Sequence, residues 1–494
     1  MAPAPTEPEV KYADHIDVIQ TNNSVAVINP FSPAASTQPT NWVFTMIYDR
    51  LIERDDDTGE FVPSLAKEWK TDDYQTYVFT LRDDVYFHNG DKLTVDDVLF
   101  TINKAQDSPG TSGANQWSSV DTARVIDSSS IEVVLKYVYP NFRFNLAFPA
   151  AGILNKKAVE ADPEKGTWVG TGPYTVVEFV ERDYVRYARN DNYWNKGKNI
   201  ITSTIVQRFV PELSARTIRM QNGESHLSFG TSESDMYLFE DNPDFEVLPH
   251  VYNQPTGLSF NMNDPITGDY NFRMAVIHAI DKEEATFLAI DKWGIPWVEN
   301  GSVWGYDTPY YNRDIPGIPH DVNKAKEYLA LSNYNGEEVE IAAGLATDIR
   351  AVQVIQQQLL AVGINTVFKE FDGPGLNAYM IDRNSGSQMI ERSFPLDLNP
   401  SSIRNYFHSE SLNNRMQYSN PEVDRLLDEA ARQTDPAAAE ASYKKIQELI
   451  SLDVPYTTIH YPLKGNVAAR GLGGLKYTAE VDKVDLREIY LIIN

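Results

Sequence analysis

Three groupings in this 494-residue sequence carry residue types that could do chemistry. The first is His88-Asn89-Gly90-Asp91, at the bend of "YVFTLRDDVYFHNGDKLTVDDVLFTI" (Tyr77 to Ile102), where an imidazole and a carboxylate could act as metal ligands or as an acid and base. The second is a pair of glycine-rich strings, "GTGPY" from Gly170 and "GLGGLKY" from Gly471, which invite a phosphate-cradle reading. The third is "ERSFPLDLNPSS", where Asp397 sits among Phe394, Pro395, Leu396 and Leu398. An apolar neighbourhood raises the cost of a carboxylate's charge unless a cation pairs with it. The competing reading of Asp397 is an exposed loop carboxylate.

The elements that must hold these groups decide most of the cases. Asn89-Gly90 is turn chemistry, because both residues tolerate positive φ, and the surrounding strand and helix patterns explain the rest of that cluster as scaffold. Tyr77, Phe79 and Leu81 alternate as a strand does, and Val85-Tyr86-Phe87 reads as a second short strand. Thr94 with Asp97 three residues on resembles a capping box for a helix whose apolar face is Val95, Val98, Leu99 and Ile102. Neither glycine string has the Walker lysine and threonine spacing or opens a dinucleotide fingerprint, so both read as turns. The eight histidines are scattered with no pair four apart on a helix, so no metal site is expected, and no cofactor either. There is no G-x-S-x-G nucleophile motif, and an abundance of carboxylates is not by itself a glycosidase pair.

Composition narrows the classes further. Seventy acidic against 43 basic residues give a net charge of −27, which repels phosphate backbones, so nucleic acid is not an expected partner. The absence of cysteine excludes disulfides and thiolate chemistry. No apolar run approaches the roughly 20 residues of a membrane span, and the opening "MAPAPTEPEVKYADHI" reads as a flexible tether of a mature exported chain rather than a leader. The length calls for two or three domains.

Along the chain, "HIDVIQ" reads as a strand and Trp42–Ile52 as a helix. The segment from Gly170 to Trp194 reads as a hairpin turning at "ERD", and Glu212–Asn222 as a helix stopped by Gly223. "GLSFNMND" reads as a strand and "NFRMAVIHAIDKEEATFLAI" as helix. "RAVQVIQQQLLAVG" is a helix ending at Gly363 before the strand "INTVFKEF", and "NPEVDRLLDEAARQ" pairs with "AAAEASYKKIQELISLD" as an antiparallel couple. Strands and helices mixed without a strict alternation predict a multi-domain α/β or α+β architecture.

These segments, in this order, resemble the extracellular solute-binding proteins of family 5, the peptide- and nickel-binding receptors of ABC importers. "SLAKEWKTDDYQTYVFTLRDDVYFHNGDKLTVDDVLFTI" is similar to the family signature, and "GTGPY" with "RNDNYW", "RTIRMQNGESHL", "NFRMAVIHAIDKE" and "YSNPEVDRLLDEA" to its later landmarks. Two departures bear on ligand class: "LDLNP" stands where many members have aspartate-x-x-aspartate-proline, and Phe394 where peptide binders often carry tryptophan.

The resemblance implies a mixed α+β, two-lobed periplasmic-binding-protein-like fold with a hinge and an extra domain. It places domain I at 1–48, 170–260 and 470–494, domain II at 49–169, and the opposing lobe, domain III, at 261–469. It implies a monomeric, non-enzymatic receptor outside the cytoplasm, periplasmic or surface-anchored, with any membrane contact made through a lipid anchor and the presence of that anchor left open. Its expected partners are a short peptide, captured between the lobes by hinge closure, and the transmembrane subunits of an ABC permease. Asp397 then matches the partner of a peptide's terminal ammonium, with Phe394 as an aromatic wall, Arg392 or Arg404 facing a ligand carboxylate, and Ser259, Phe260 and Asn261 placed for main-chain pairing or, alternatively, as hinge structure. The alternatives are a nickel chelate, oligosaccharide or other solute in the same role, or a secreted hydrolase.

Overall fold

The computed structural model describes residues 10–20, 25–35, 38–55, 58–231, 233–251, 254–305, 308–344, 349–381, 388–393, 398–477 and 484–493. The chain forms two compact units, the first running to His250 and resuming at Lys464, the second holding the chain from Val251 to Leu463. These crossings fall before Phe260 and before Ala469, so the strand Thr256–Phe260 groups with the second unit instead of with residues 170–260.

In the first unit, the strand His15–Gln20 lies between Leu227–Thr231 and Thr204–Phe209 and is parallel to both. A parallel strand flanked on both sides is buried on both faces, which is why "IDVIQ" is buried throughout. The hairpin Tyr174–Val180 with Tyr184–Arg189 continues the sheet from Thr204–Phe209. A separate antiparallel sheet orders the strands Ala66–Lys70, Thr76–Leu81, Ser130–Leu135 and Val120–Val125. Its inward residues Phe79 and Ile131, with Val98 from the helix Val95–Gln106, belong to the same hydrophobic core as Ile16, Val43 and Ile205. The segment expected as domain II thus shares a continuous core with the rest of its unit.

In the second unit the sheet runs Thr366–Phe371, Val339–Gly344, Met389–Ser393, Thr256–Phe260 and then the start of Tyr456–Ala469. The helix Ile349–Val362 connects the parallel strands 339–344 and 366–371, and Gly363 ends it at φ +98°, where a left-handed residue closes a helix. The helices Pro421–Ala430 and Pro436–Asp453 start at the caps Asn420 and Asp435 and pack Val423, Leu427, Ile446 and Ile450 around Trp304.

Three local expectations need correction. The helix expected over Trp42–Ile52 spans Gln38–Ile47, and Ile52–Arg54 is a strand, because Asp49 leaves the helix to enter a buried polar cluster. Val85–Phe87 forms only an isolated bridge, Tyr86 to Lys92, around the turn at Gly90, whose φ is +87°. "NFRMAVIHAIDKEEATFLAI" is two helices, Tyr270–Ala279 and Lys282–Ile290, because Ile280 is extended and Asp281 accepts the Glu284 N–H at 3.0 Å as an N-cap.

Candidate functional site

The strand Thr256–Phe260 is an interior strand, with Met389–Ser393 on one side and the start of Tyr456–Ala469 on the other. Ser259 stands opposite Ile390 and Tyr456, its hydroxyl donates to the Ile390 carbonyl at 3.1 Å, and the Phe260 N–H donates to Pro455 O at 2.9 Å. Their side chains are 3% and 1% exposed, and Phe260 packs in the core with Leu258 and Phe272. Main-chain pairing of Ser259 and Phe260 with an extended ligand is therefore corrected: their backbone groups are already used inside the sheet. Asn261 organises the loop that follows. Its N–H donates to Gln388 O at 2.9 Å, and its side-chain oxygen accepts from Asn263 N at 3.0 Å and from Gln417 Nε2 at 3.2 Å.

Arg392 lies one strand over, opposite Gly257. The backbones approach closely here, since a Cβ on Gly257 would meet the Thr457 carbonyl oxygen at 2.0 Å. The Tyr456 hydroxyl sits 3.1 Å from Arg392 O and 3.2 Å from Pro255 O, tying the end of this strand to its neighbours. Burial pushes the Arg392 guanidinium down to about 10, the phenols of Tyr456 and Tyr406 oppose that shift, and Arg415 adds like-charge repulsion. The group stays cationic at neutral pH and is desolvated, which is the condition under which an anionic group of a ligand is held strongly.

Arg404 is engaged elsewhere. Its Nε donates to Asp428 Oδ1 at 2.8 Å and its Nη2 lies 3.2 Å from His408 Nε2. Burial raises Asp428, but Arg404 and His408 together hold it below the usual carboxylate range. Arg404 is thus committed to Asp428 on the helix Pro421–Ala430. Phe394 and Asp397 lie outside the described residues. The chain beyond them is anchored by Asn399, whose side chain accepts the Ser401 N–H at 3.0 Å to start the turn Pro400–Ile403.

In the first unit the conspicuous sequence strings converge as scaffold. The His88 ring accepts the Gly170 N–H on Nδ1 at 3.2 Å and lies 3.0 Å from Gly172 O through Nε2, which fixes the neutral tautomer with its proton on Nε2. Burial pushes this imidazole down to about 4. Asp91 is held by Lys157 at 2.9 Å and by Asn89 at 2.8 Å. Asp97 accepts both the N–H and the hydroxyl of Thr94, at 2.9 and 2.7 Å, and with its other oxygen the Lys156 N–H at 2.9 Å.

Asp49, which the sequence reading did not single out, is the hub of this unit's polar interior. It accepts from Thr171 at 3.0 Å, Tyr193 at 3.0 Å and Trp194 at 2.7 Å, so "GTGPY" and "NYW" meet on one buried carboxylate. Burial and then Glu53 raise its pKa. Glu53 is itself pushed up by burial, yet Arg487, Arg50 and Lys198 hold it well below the usual range. Among the described residues no group of three histidine, aspartate or glutamate side chains could hold a metal ion.

The family model described as bacterial extracellular solute-binding proteins, family 5 Middle, matches residues 60–414. This chain belongs to the family 5 bacterial extracellular solute-binding proteins. It is 24% identical over 480 residues to the oligopeptide-binding protein AppA of Bacillus subtilis (strain 168), covering 90% of this chain and 86% of that one. It is 26% identical over 404 residues to the glutathione-binding protein GsiB of Escherichia coli (strain K12), covering 78% and 77%. The crystal structure of the ABC transporter substrate-binding protein CtaP from Listeria monocytogenes superposes with a TM-score of 0.85 at 24% identity, covering 97% of this chain and 100% of the other. The fold class is thus the mixed α/β, two-lobed receptor fold of family 5. Among the described residues no helix is long and apolar enough to cross a membrane.

Proposed function

We propose that this family 5 receptor captures short peptides and delivers them to the transmembrane subunits of an ABC permease. Arg392 carries the reading. It is a desolvated cation at the end of an interior strand, two residues before the apolar run that holds Asp397, so one segment offers a positive group to a peptide carboxylate and a negative one to its ammonium. The relatives' names favour peptides over other solutes, and a peptide held by its termini and main chain leaves its side chains unselected. The ligand is released unchanged, and the protein acts as a monomer outside the cytoplasm.

The test is calorimetry with one tripeptide in free, N-acetylated and C-amidated forms. Arg392→Met weakens the free peptide by about 10-fold or more while leaving the amidated one unchanged, and Asp397→Asn does the same for the free against the acetylated form. Equal affinity of the wild type for all three forms removes terminus recognition.

A further inference from the structure

The second unit holds a cavity of about 440 Å³ whose lining does not include Arg392. Met274, Ile277, Ile315 and Val454 supply its apolar walls, and Lys282 and Thr458 line it as well. Lys282 is the first residue of its helix and 6% exposed. Its ammonium donates to the Trp297 carbonyl at 3.1 Å, and among the described residues no carboxylate pairs with it. Burial moves it, down to about 8. An ammonium has three N–H donors, so the protein satisfies one of them. Thr458, on the strand wall, is 3% exposed and its hydroxyl has no hydrogen-bond partner.

A buried cation with unsatisfied donors at an apolar-walled cavity is costly as it stands, and an anion would offset it; Thr458, whose hydroxyl also has no partner among the described residues, belongs to the same lining. Two carboxylates bound the anion's charge: Asp314 and Glu448 also line the cavity, Glu448 bridged to Lys445 at 3.0 Å, and they disfavour a multiply charged guest. The volume lies at the lower end of the range of small-molecule pockets, room enough for a one-ring guest.

We propose that this cavity binds a small amphiphilic monocarboxylate, its carboxylate on the Lys282 ammonium with the Thr458 hydroxyl as a further donor, and its apolar body against Met274, Ile277 and Val454. Arg392 is not among the residues that line the cavity, although Tyr456, 3.1 Å from the Arg392 carbonyl oxygen, is, and the preference for acid over amide is read with and without tripeptide, so the site stands or falls separately from peptide capture.

The probes are 3-phenylpropionate and its neutral amide, titrated into the whole chain by calorimetry and ligand-observed NMR at pH 7, with and without saturating tripeptide. The acid binds about 10-fold more tightly than the amide, in either condition. Lys282→Met abolishes that preference, and Thr458→Val weakens the acid about threefold while sparing the amide. Binding of the acid also falls as pH rises from 7 to 10 and the ammonium loses its proton. No binding of the acid, equal binding of acid and amide, or acid binding unchanged by Lys282→Met overturns the proposal. Should Lys282→Met fail to fold, the wild-type pH series and Thr458→Val decide, and affinity constant from pH 7 to 10 overturns it.

Discussion

His88 joins the bend after Phe87 to the turn at Gly170–Gly172 only while its Nδ1 is free to accept a hydrogen bond. Protonation breaks that acceptance, and the imidazole, held down to about 4 when folded against an ordinary 6.5, binds its proton more readily in the unfolded chain. The stability it contributes is thus complete above pH 6.5 and lost as pH falls toward 4, by about 2 to 3 kcal/mol. His88→Gln is therefore less stable at pH 7 but shows a shallower loss between pH 6.5 and 4 in urea unfolding; parallel curves for the two proteins would contradict the tautomer assignment. That His88 is scaffold was legible in Asn89-Gly90, whereas its partners 82 and 84 residues away were not. Asp49 was illegible for the same reason: its donors Thr171 and Trp194 stand 122 and 145 residues downstream, and only folding makes a carboxylate with no local motif into a hub. Ser259 and Phe260 failed as ligand-pairing residues because a strand's place in the sheet order, which uses up its backbone groups, is set by strands remote in sequence.

Periodicity identified most helices and strands, since a helix with one apolar stripe declares itself locally. The strand "HIDVIQ", the hairpin from Tyr174 to Arg189 and the pair Pro421–Ala430 and Pro436–Asp453 stand where their patterns put them. The failures came where a polar residue competes with the pattern. Asp281 interrupts a continuous apolar spacing because its carboxylate caps the following helix more favourably than it would sit within one. Asp281→Ala accordingly lowers stability by about 1 kcal/mol, read as a shift in the thermal midpoint, and Asp281→Ser recovers most of it. No change for alanine would mean that the break between these helices is set by packing alone.

The resemblance of five separated strings to family 5 reached the whole molecule where local pattern could not, because those strings are scaffold contacts such as His88 with Gly170 and Asp49 with Thr171 and Trp194. They specify a framework, and the proposed ligand residues, near "FPLDLNP", lie outside the strings that carry the resemblance. The proposed capture mechanism expects the radius of gyration from small-angle scattering to fall when a binding peptide is added to saturation; an unchanged radius would remove closure from the mechanism. The most direct measurement is native mass spectrometry of the purified chain, followed by denaturation and sequencing of whatever is released. Peptide capture predicts a bound population heavier by the masses of short peptides of mixed sequence, displaced by added tripeptide. A chain that carries only a non-peptide solute, or that ignores peptides at millimolar concentration, would contradict it.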